Sequence, residues 1–226
     1  MKSILLPMLL CSLCFLSVQD LQAQKLKKFG SSIEKKLGPK KIRVPYTDVI
    51  SYLGYAEPGS EDAIVENKKY TYLYLWIPAV APEIGVRMVS PHNGSKIKDP
   101  IIAPNYEAHR DTKEFFDTYI TIEKSNINSL DGISQDKIDN ANWTRLEYND
   151  DTREIYAQPD GRNYNSLLRY ESEVDNPLKA LSVGLYRIGF TTFKRGEVKG
   201  TFLAQVGSPV KLPGVIITRN IEDLKN

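Results

Sequence analysis

The chain has 226 residues, of which 30 are Lys or Arg and 28 are Asp or Glu, so its formal net charge is +2. This near-balance gives no electrostatic case for nucleic acid as a partner, because domains that bind nucleic acid are strongly basic. Hydrophobic residues make up 41% and charged residues 26%, as in ordinary soluble globular proteins. A chain of this length buries roughly 70% of its surface on folding, so it needs neither a metal nor a disulfide to fold.

Residues 1–23 have the pattern of an export signal peptide. Lys2 provides a short basic start, the run from Ile4 to Val18 is largely apolar, and Ala23 offers a small residue before a cleavage site. Cleavage there would leave a mature chain that begins at Gln24 and contains no cysteine. Lipidation of Cys14 is the alternative, and the bulky leucine before it makes this alternative less favoured. No later segment is long and apolar enough for a transmembrane segment.

Residues 24–41 come next and are rich in Lys, Gly and Ser. They predict a solvated, loosely ordered basic N-terminal arm, because a helix this short is marginal in water and chain ends are poorly held. Residues 42–226 predict a single domain, since no internal repeat or low-complexity tract divides them.

The domain is expected to be all-β. From Tyr70 to Ile77, aromatic residues alternate with aliphatic ones, which is typical of a central strand covered on both faces. The segment from Gly184 to Gly207 predicts a β-hairpin with its turn at "KRGE", and short helical turns are expected in "EAHRDTKEF" and "DNPLKAL". Many short strands separated by turn signals favour a jelly-roll β-sandwich with a few short peripheral helices.

Catalysis has little support in the sequence, and the protein is expected not to be an enzyme. The two histidines, His92 and His109, lack partners at zinc-binding spacing, and no nucleophile-elbow, metalloprotease or phosphate-binding motif occurs. A carbohydrate-binding or carbohydrate-active domain is the alternative, because aromatic-rich strands accompany abundant carboxylates. An aromatic row exposed on a concave face would favour that alternative, whereas the same residues buried would favour core packing.

Five long segments of the sequence resemble, in the same order, segments of the leptospiral major outer-membrane surface lipoprotein family. They fall between about Tyr46 and Val215 and are "VISYLGYAEPG", "KKYTYLYLWIPAVAPEIGVRMVSP", "FFDTYITIE", "NYNSLLR" and "GLYRIGFTTFKRGEVKGTFLAQVG". The resemblance implies a calcium-binding jelly-roll domain that is exported to the bacterial envelope or secreted. It also implies extracellular-matrix or other surface proteins as partners, while the choice between a monomer and a homodimer stays open.

The resemblance further implies a Ca²⁺ site whose ligands are Asp117, Thr118, Asp150, Asp151 and Tyr164. Calcium prefers about six to eight hard oxygen ligands, which the three carboxylates, Thr118, the Tyr164 carbonyl and waters would supply. The adjacent pair in "YNDDTREIY" would, taken alone, be most simply a turn. Aspartates gathered at one point repel one another unless a cation lies between them, so we expect this pair to bind the ion.

Overall fold

The structure is a computed structural model that describes residues 29–194 and 197–225. The predicted signal peptide, residues 24–28 of the predicted arm and the centre of the predicted "KRGE" turn lie outside these residues. The strands are β1 (Gly30–Leu37), β2 (Lys40–Pro45), β3 (Asp48–Ala56), β4 (Ala63–Val65), β5 (Lys68–Ile77), β6 (Glu83–Val89), β7 (Ile101–Ile102), β8 (Tyr119–Ser125), β9 (Trp143–Asn149), β10 (Ser166–Glu171), β11 (Gly184–Thr191), β12 (Gly200–Ser208) and β13 (Ile216–Thr218). The helices are α1 (Tyr106–His109), α2 (Gln135–Asp139) and the 3-10 helix η1 (Ile221–Lys225).

Two sheets form the body of the domain. One contains five strands in the order β10-β6-β12-β3-β7, and the other contains β13-β5-β11-β8-β9 with β4 also paired to β5. All neighbours are antiparallel except β3 and β7. The chain passes repeatedly from one sheet to the other, since β5, β8, β9 and β11 lie in one and β6, β10 and β12 in the other. The predicted all-β jelly-roll sandwich with short peripheral helices is confirmed.

The predicted hairpin between Gly184 and Gly207 is wrong. Strand β11 pairs with β5 and β8, whereas β12 pairs with β3 and β6, so the two strands belong to different sheets. They meet face to face across the core, where the ring centroids of Phe190 and Phe202 are 4.8 Å apart. Each strand is hydrogen-bonded along both edges by other strands, so neither has an edge left for the other.

The main core lies between the sheets. From β5 it receives Leu73, Leu75 and Ile77, which are fully buried. The rings of Phe116, Phe190 and Phe202 form an aromatic cluster with centroid distances from 4.8 to 6.4 Å. Truncation of a buried Phe to Ala costs about 3–5 kcal/mol, so this cluster is a principal source of stability.

A second core covers the outer face of β5. Tyr70, Tyr72 and Tyr74 point to this face and are only 3%, 3% and 7% exposed. Ile138 of α2 and Leu224 of η1 are buried in the same cluster and cover the tyrosines. The prediction of a central strand covered on both faces is confirmed, and the aromatic row is buried rather than exposed.

The structure corrects the expectation of a loosely ordered arm for residues 30–41. They form β1, the turn and the start of β2, and the two strands pair as an antiparallel hairpin that is a separate two-stranded sheet. The backbone N–H of Ser32 donates to the Glu83 carboxylate at 3.0 Å, and Arg169 Nε donates to the Gly30 carbonyl at 2.7 Å. These contacts hold the hairpin at its base, and they come from residues far along the chain that local composition does not reveal.

Candidate metal centre

The five predicted ligands lie at one end of the sandwich. Asp117 and Thr118 immediately precede β8, and Asp150 and Asp151 immediately follow β9. Because β8 and β9 are antiparallel and Ile120 pairs with Asn149, the start of β8 and the end of β9 are neighbours. Tyr164 precedes β10, which belongs to the opposite sheet. The residues are thus brought together where the edge strands β9 and β10 of the two sheets approach each other.

Hydrogen bonds join the two sheet edges at this point. The backbone N–H of Leu167 donates to Asn149 Oδ1 at 3.0 Å, and the Ser166 hydroxyl contacts the Asp150 carbonyl at 2.9 Å. The same hydroxyl contacts the backbone carbonyl of Thr118. The segment before β8, the loop after β9 and the start of β10 are therefore fixed relative to one another by side chains that are not candidate ligands.

A surface cavity of about 560 Å³ opens at this end of the sandwich. Four of the predicted ligands line it, namely Asp117, Asp150, Asp151 and Tyr164. Seven further residues complete the lining: Phe115, Gln158, Asp160, Arg162, Thr192, Phe193 and Lys194. Asp160 is a fourth carboxylate in this lining that was not predicted, because a single aspartate in the turn signal "PDGR" has no distinguishing local pattern.

Asp117 has the environment of a cation ligand. Its side chain is half-buried, and its Oδ1 atom is buried with no hydrogen-bond partner among the described residues. Burial, and then the negative charges of Asp151 and Asp150, raise the pKa of Asp117 from 3.8 to about 6. Burial and the charge of Asp150 likewise raise the pKa of Asp151. A cation in the cavity would satisfy the free oxygen and offset this repulsion.

Thr118 and Tyr164 are hydrogen-bonded to each other in this structure, whereas a calcium ligand would present a free oxygen atom to the cavity. The backbone N–H of Thr118 donates to the Tyr164 carbonyl at 2.9 Å. The Thr118 hydroxyl lies 3.1 Å from the same carbonyl oxygen and 2.8 Å from the Ser166 hydroxyl, so it is engaged within the protein. The Thr118 side chain is fully buried and is not part of the cavity lining. In this structure the pair connects β8 to the loop before β10.

The carboxylates surround the cavity without converging on one point. Across residues 29–194 and 197–225, no three His, Cys, Asp or Glu side chains are close enough together to hold a metal ion. The histidines contribute nothing to the cavity, because His92 Nδ1 accepts from the Gly94 N–H at 2.9 Å and His109 stacks on Tyr55. The available donors are oxygen atoms, which suit calcium rather than zinc or copper.

A second cavity, of about 540 Å³, lies on the outer face of the six-stranded sheet and combines aromatic and acidic residues. The Arg187 guanidinium lies 3.9 Å from the centroid of the Tyr72 ring and 4.2 Å from that of Trp143. Arg187 Nε also donates to the Glu123 carboxylate at 2.8 Å. The ring faces that would stack on a sugar therefore already contact an arginine of the protein.

The comparisons with known proteins identify the family of the chain. Among the described residues, no helix has the length and apolar character needed to cross a bilayer. No curated protein matches the chain. Residues 40–217 match the model of a family described as surface lipoproteins of the order Spirochaetales, and this range includes all five predicted calcium ligands. The resemblance and the exported, cell-envelope location are thereby confirmed, and the chain belongs to the family of Spirochaetales surface lipoproteins.

Proposed function

We propose that this protein is a non-enzymatic, calcium-binding protein of the bacterial cell surface that binds another surface or matrix protein. The observation that carries the calcium proposal is the buried Oδ1 atom of Asp117, which has no partner among the described residues and lies in a cavity lined by four aspartates together with Arg162 and Lys194. A buried polar atom without a partner is costly, and a divalent cation would satisfy it.

Three aspartates supply the charge that calcium requires. Asp117, Asp150 and Asp151 would bind the ion through carboxylate oxygens, Asp160 could add a fourth carboxylate, and water would complete the shell. Calcium accepts flexible angles and variable ligand number, so it tolerates side chains that turn toward it from different loops. Magnesium is less suited, because it demands near-octahedral geometry and retains more of its water.

Thr118 and Tyr164 would act first as supports of the site. Their mutual hydrogen bonds hold the Asp117 segment against the loop before β10. They would become ligands, as the resemblance implies, by exchanging one of these bonds for the ion. In either role, a bound ion joins the start of β8 to the single loop, residues 150–165, that connects β9 to β10 and carries Asp150, Asp151 and Asp160.

The first prediction is that calcium stabilises the protein through these aspartates. A ligand that binds only the native state contributes about 2.7 kcal/mol at a hundredfold excess over its dissociation constant. Asp150→Ala and Asp151→Ala should each remove most of this stabilisation, since each removes a carboxylate from the cavity. Calorimetric titration with calcium and thermal unfolding with calcium or chelator measure the effect.

Asp131→Ala is the matched control for those variants. Asp131 is exposed, lies outside the cavity and accepts a hydrogen bond from the Ser129 hydroxyl at 2.9 Å. Its removal should leave the calcium response unchanged. If the wild-type protein shows no heat of binding and no shift in melting temperature, or if Asp151→Ala responds like the wild type, then "NDDT" is only a turn.

We propose that this protein binds another protein rather than a carbohydrate. The aromatic row of β5 is buried, and the Tyr72 and Trp143 rings at the second cavity contact Arg187, so these rings do not form a row of open stacking faces. A binding screen against matrix proteins and glycans, with calcium and with chelator, tests this proposal. Calcium-dependent binding of glycans alone would favour the carbohydrate alternative.

A second prediction is that the mature N-terminus, which lies outside the described residues, is an unmodified Gln24 left by cleavage after Ala23. The alternative, to which the family's description as lipoproteins corresponds, is a lipid on Cys14. Mass spectrometry of the protein from its native envelope distinguishes the two. A diacylglyceryl group on Cys14 would contradict cleavage after Ala23 and make the protein membrane-anchored.

A further inference from the structure

Among the described residues, none covers the outer part of the hairpin formed by β1 and β2. All eleven residues from Ile33 to Arg43 are exposed, and the two strands form a sheet of their own. Leu37, next to the turn, is 69% exposed, and Ile42 is 47% exposed. An isolated two-stranded hairpin is at best marginally stable in water, and large aliphatic side chains at its tip add to that cost. A hairpin of this kind is expected to be stabilised by contact with another surface.

The base of the hairpin is fixed to the body of the domain. The Phe29 ring packs edge-on against Tyr46 at a centroid distance of 4.8 Å, and the Tyr46 hydroxyl donates to Glu83 at 2.6 Å. The Arg43 guanidinium pairs with Glu154 at 2.7 Å, and Arg169 pairs with the same carboxylate. The exposed tip is therefore held in one orientation by the protein rather than being a free tail.

The hairpin and the residues just before it concentrate the positive charge of the chain. Residues 24–45 contain eight Lys or Arg residues and a single acidic residue, Glu34, which gives a net charge of +7. Since the whole chain carries +2, the remaining residues together carry −5. The near-neutral total thus conceals a strongly basic segment on an acidic body, and this segment would attract a negatively charged surface.

The tip has a basic and apolar pattern, "KKLGPKK" over residues 35–41, in which two lysines stand on each side of Leu37. In the strand register, Leu37 pairs with Lys40 and Lys35 pairs with Ile42, so aliphatic and cationic side chains share one face. Gly38, with φ +61°, makes the tight turn between the strands. Lysines beside an aliphatic tip can direct their ammonium groups to anionic headgroups while the aliphatic groups enter the interface.

We propose that this hairpin binds the surface of a lipid bilayer that contains anionic phospholipids. The cationic side chains alone would suit any polyanion, but the exposed Leu37 and Ile42 gain most where they leave water, which a bilayer interface provides. The hairpin also follows Cys14 closely in the sequence of an envelope protein, so a lipid on that residue would keep the hairpin near the membrane. The interaction is independent of calcium and of the proposed protein ligand.

The test is co-sedimentation of the chain from Gln24 to Asn226, in chelator, with phosphatidylcholine vesicles that contain about one-third phosphatidylglycerol. The wild type should sediment with these vesicles and not with vesicles of phosphatidylcholine alone. Replacing Lys35, Lys36, Lys40 and Lys41 by Gln should weaken binding about a hundredfold or more, because each lysine near an anionic surface contributes substantially. Leu37→Ser should weaken it about tenfold.

The matched control carries the same loss of charge on the body of the domain. It replaces four exposed lysines by Gln: Lys96, Lys98, Lys113 and Lys211. The control should bind vesicles like the wild type. Equal loss in both fourfold variants, equal binding to neutral vesicles, or unchanged binding of Leu37→Ser would each overturn the proposal. Circular dichroism and thermal unfolding of each variant establish that it is folded, so that a loss of binding is not a loss of structure.

Discussion

Two regions of this protein collect charge of opposite sign, and they differ in what surrounds that charge. The acidic cavity near Asp117 lies between segments that are fixed by hydrogen bonds, and one of its carboxylate oxygens is buried with no hydrogen-bond partner in the described part of the chain. The basic hairpin exposes every residue from Ile33 to Arg43. Repulsion among the aspartates is strengthened by partial burial, whereas water screens the lysines.

This difference indicates the size of the partner that each region takes. A half-buried set of carboxylates in a small cavity is matched by a single divalent ion, which neutralises several charges at one point. An exposed strip of lysines with an aliphatic tip is matched by an extended anionic surface. The calcium site should therefore affect the stability of the fold, whereas the hairpin tip should affect association with little effect on stability.

The largest effect that would sharpen this comparison is expected from Glu83, which supports the base of the hairpin. This carboxylate is 1% exposed and accepts from the Tyr46 hydroxyl at 2.6 Å and from the Ser32 N–H at 3.0 Å. Glu83→Ala leaves these donors without their acceptor and should cost about 2–4 kcal/mol. Denaturant unfolding measures this cost. Vesicle binding should also fall, because the hairpin loses its fixed orientation.

Glu171→Ala is the control for that variant. Glu171 is exposed and contacts the same serine only through its hydroxyl. Its removal should change the free energy of unfolding by no more than about 0.5–1 kcal/mol. If Glu83→Ala unfolds at the same denaturant concentration as the wild type, then the base of the hairpin is not held as described, and its orientation cannot underlie membrane binding.

A smaller effect is expected from acid, through a buried group that belongs to neither charged region. Burial, and then the charge of Arg87, lower the pKa of His92 from 6.5 to about 4. Its Nδ1 accepts the Gly94 N–H at 2.9 Å, which only the neutral ring can do. Above pH 6.5 the ring is neutral in both the folded and the unfolded states, so this contribution to stability is then complete.

Between pH 6.5 and about 4 the unfolded chain binds a proton at His92 that the folded protein does not, so stability is lost as the pH falls. The loss should reach about 2–3 kcal/mol. His92→Gln retains an acceptor but does not titrate. The measurement is the free energy of unfolding of this variant and of the wild type from neutral to acid pH, in chelator. The difference between them should stay constant above pH 6.5 and change between pH 6.5 and about 4. A constant difference would show that His92 is not held neutral by the fold.

Local patterns were sufficient to predict the fold class but not the strand partners. Alternation along β5 correctly indicates a strand covered on both faces, because each face of one strand is determined by its own side chains. The segment from β11 to β12 was predicted as a hairpin because its turn signal is local, while the competing partners β8 and β3 lie far away in sequence. The hairpin of β1 and β2 was missed for the same reason, since its supports, Glu83 and Arg169, are distant.

The candidate site was predicted only in part. The resemblance indicates the three aspartates and the tyrosine that line one cavity, and composition alone would have assigned "NDDT" to a turn. Neither the resemblance nor the composition indicates that the Tyr164 carbonyl accepts a hydrogen bond from the Thr118 N–H, because backbone hydrogen bonding between loops depends on the assembled sheets. Asp160 was missed because a single aspartate in a turn has no distinguishing local pattern.

The smallest expected effect comes from Asp117→Asn, and its sign distinguishes a metal site from a structural carboxylate. In the absence of calcium, the ionised side chain is partly buried and is repelled by Asp151 and Asp150, and none of the described residues hydrogen-bonds to its Oδ1 atom. Its pKa, about 6 instead of 3.8, means that ionisation opposes folding as the pH rises through this range. A neutral amide of nearly the same shape removes this repulsion and can donate to a neighbouring carboxylate.

In chelator at neutral pH, Asp117→Asn should therefore be more stable than the wild type by about 1 kcal/mol. In saturating calcium the order should reverse, because the variant loses a charged ligand and with it most of the stabilisation by the ion. Asp131→Asn, at an exposed turn, should follow the wild type under both conditions. If Asp117→Asn is less stable in chelator as well, then this carboxylate supports the fold directly, and the acidic cavity does not depend on a cation in the way that the comparison with the hairpin requires.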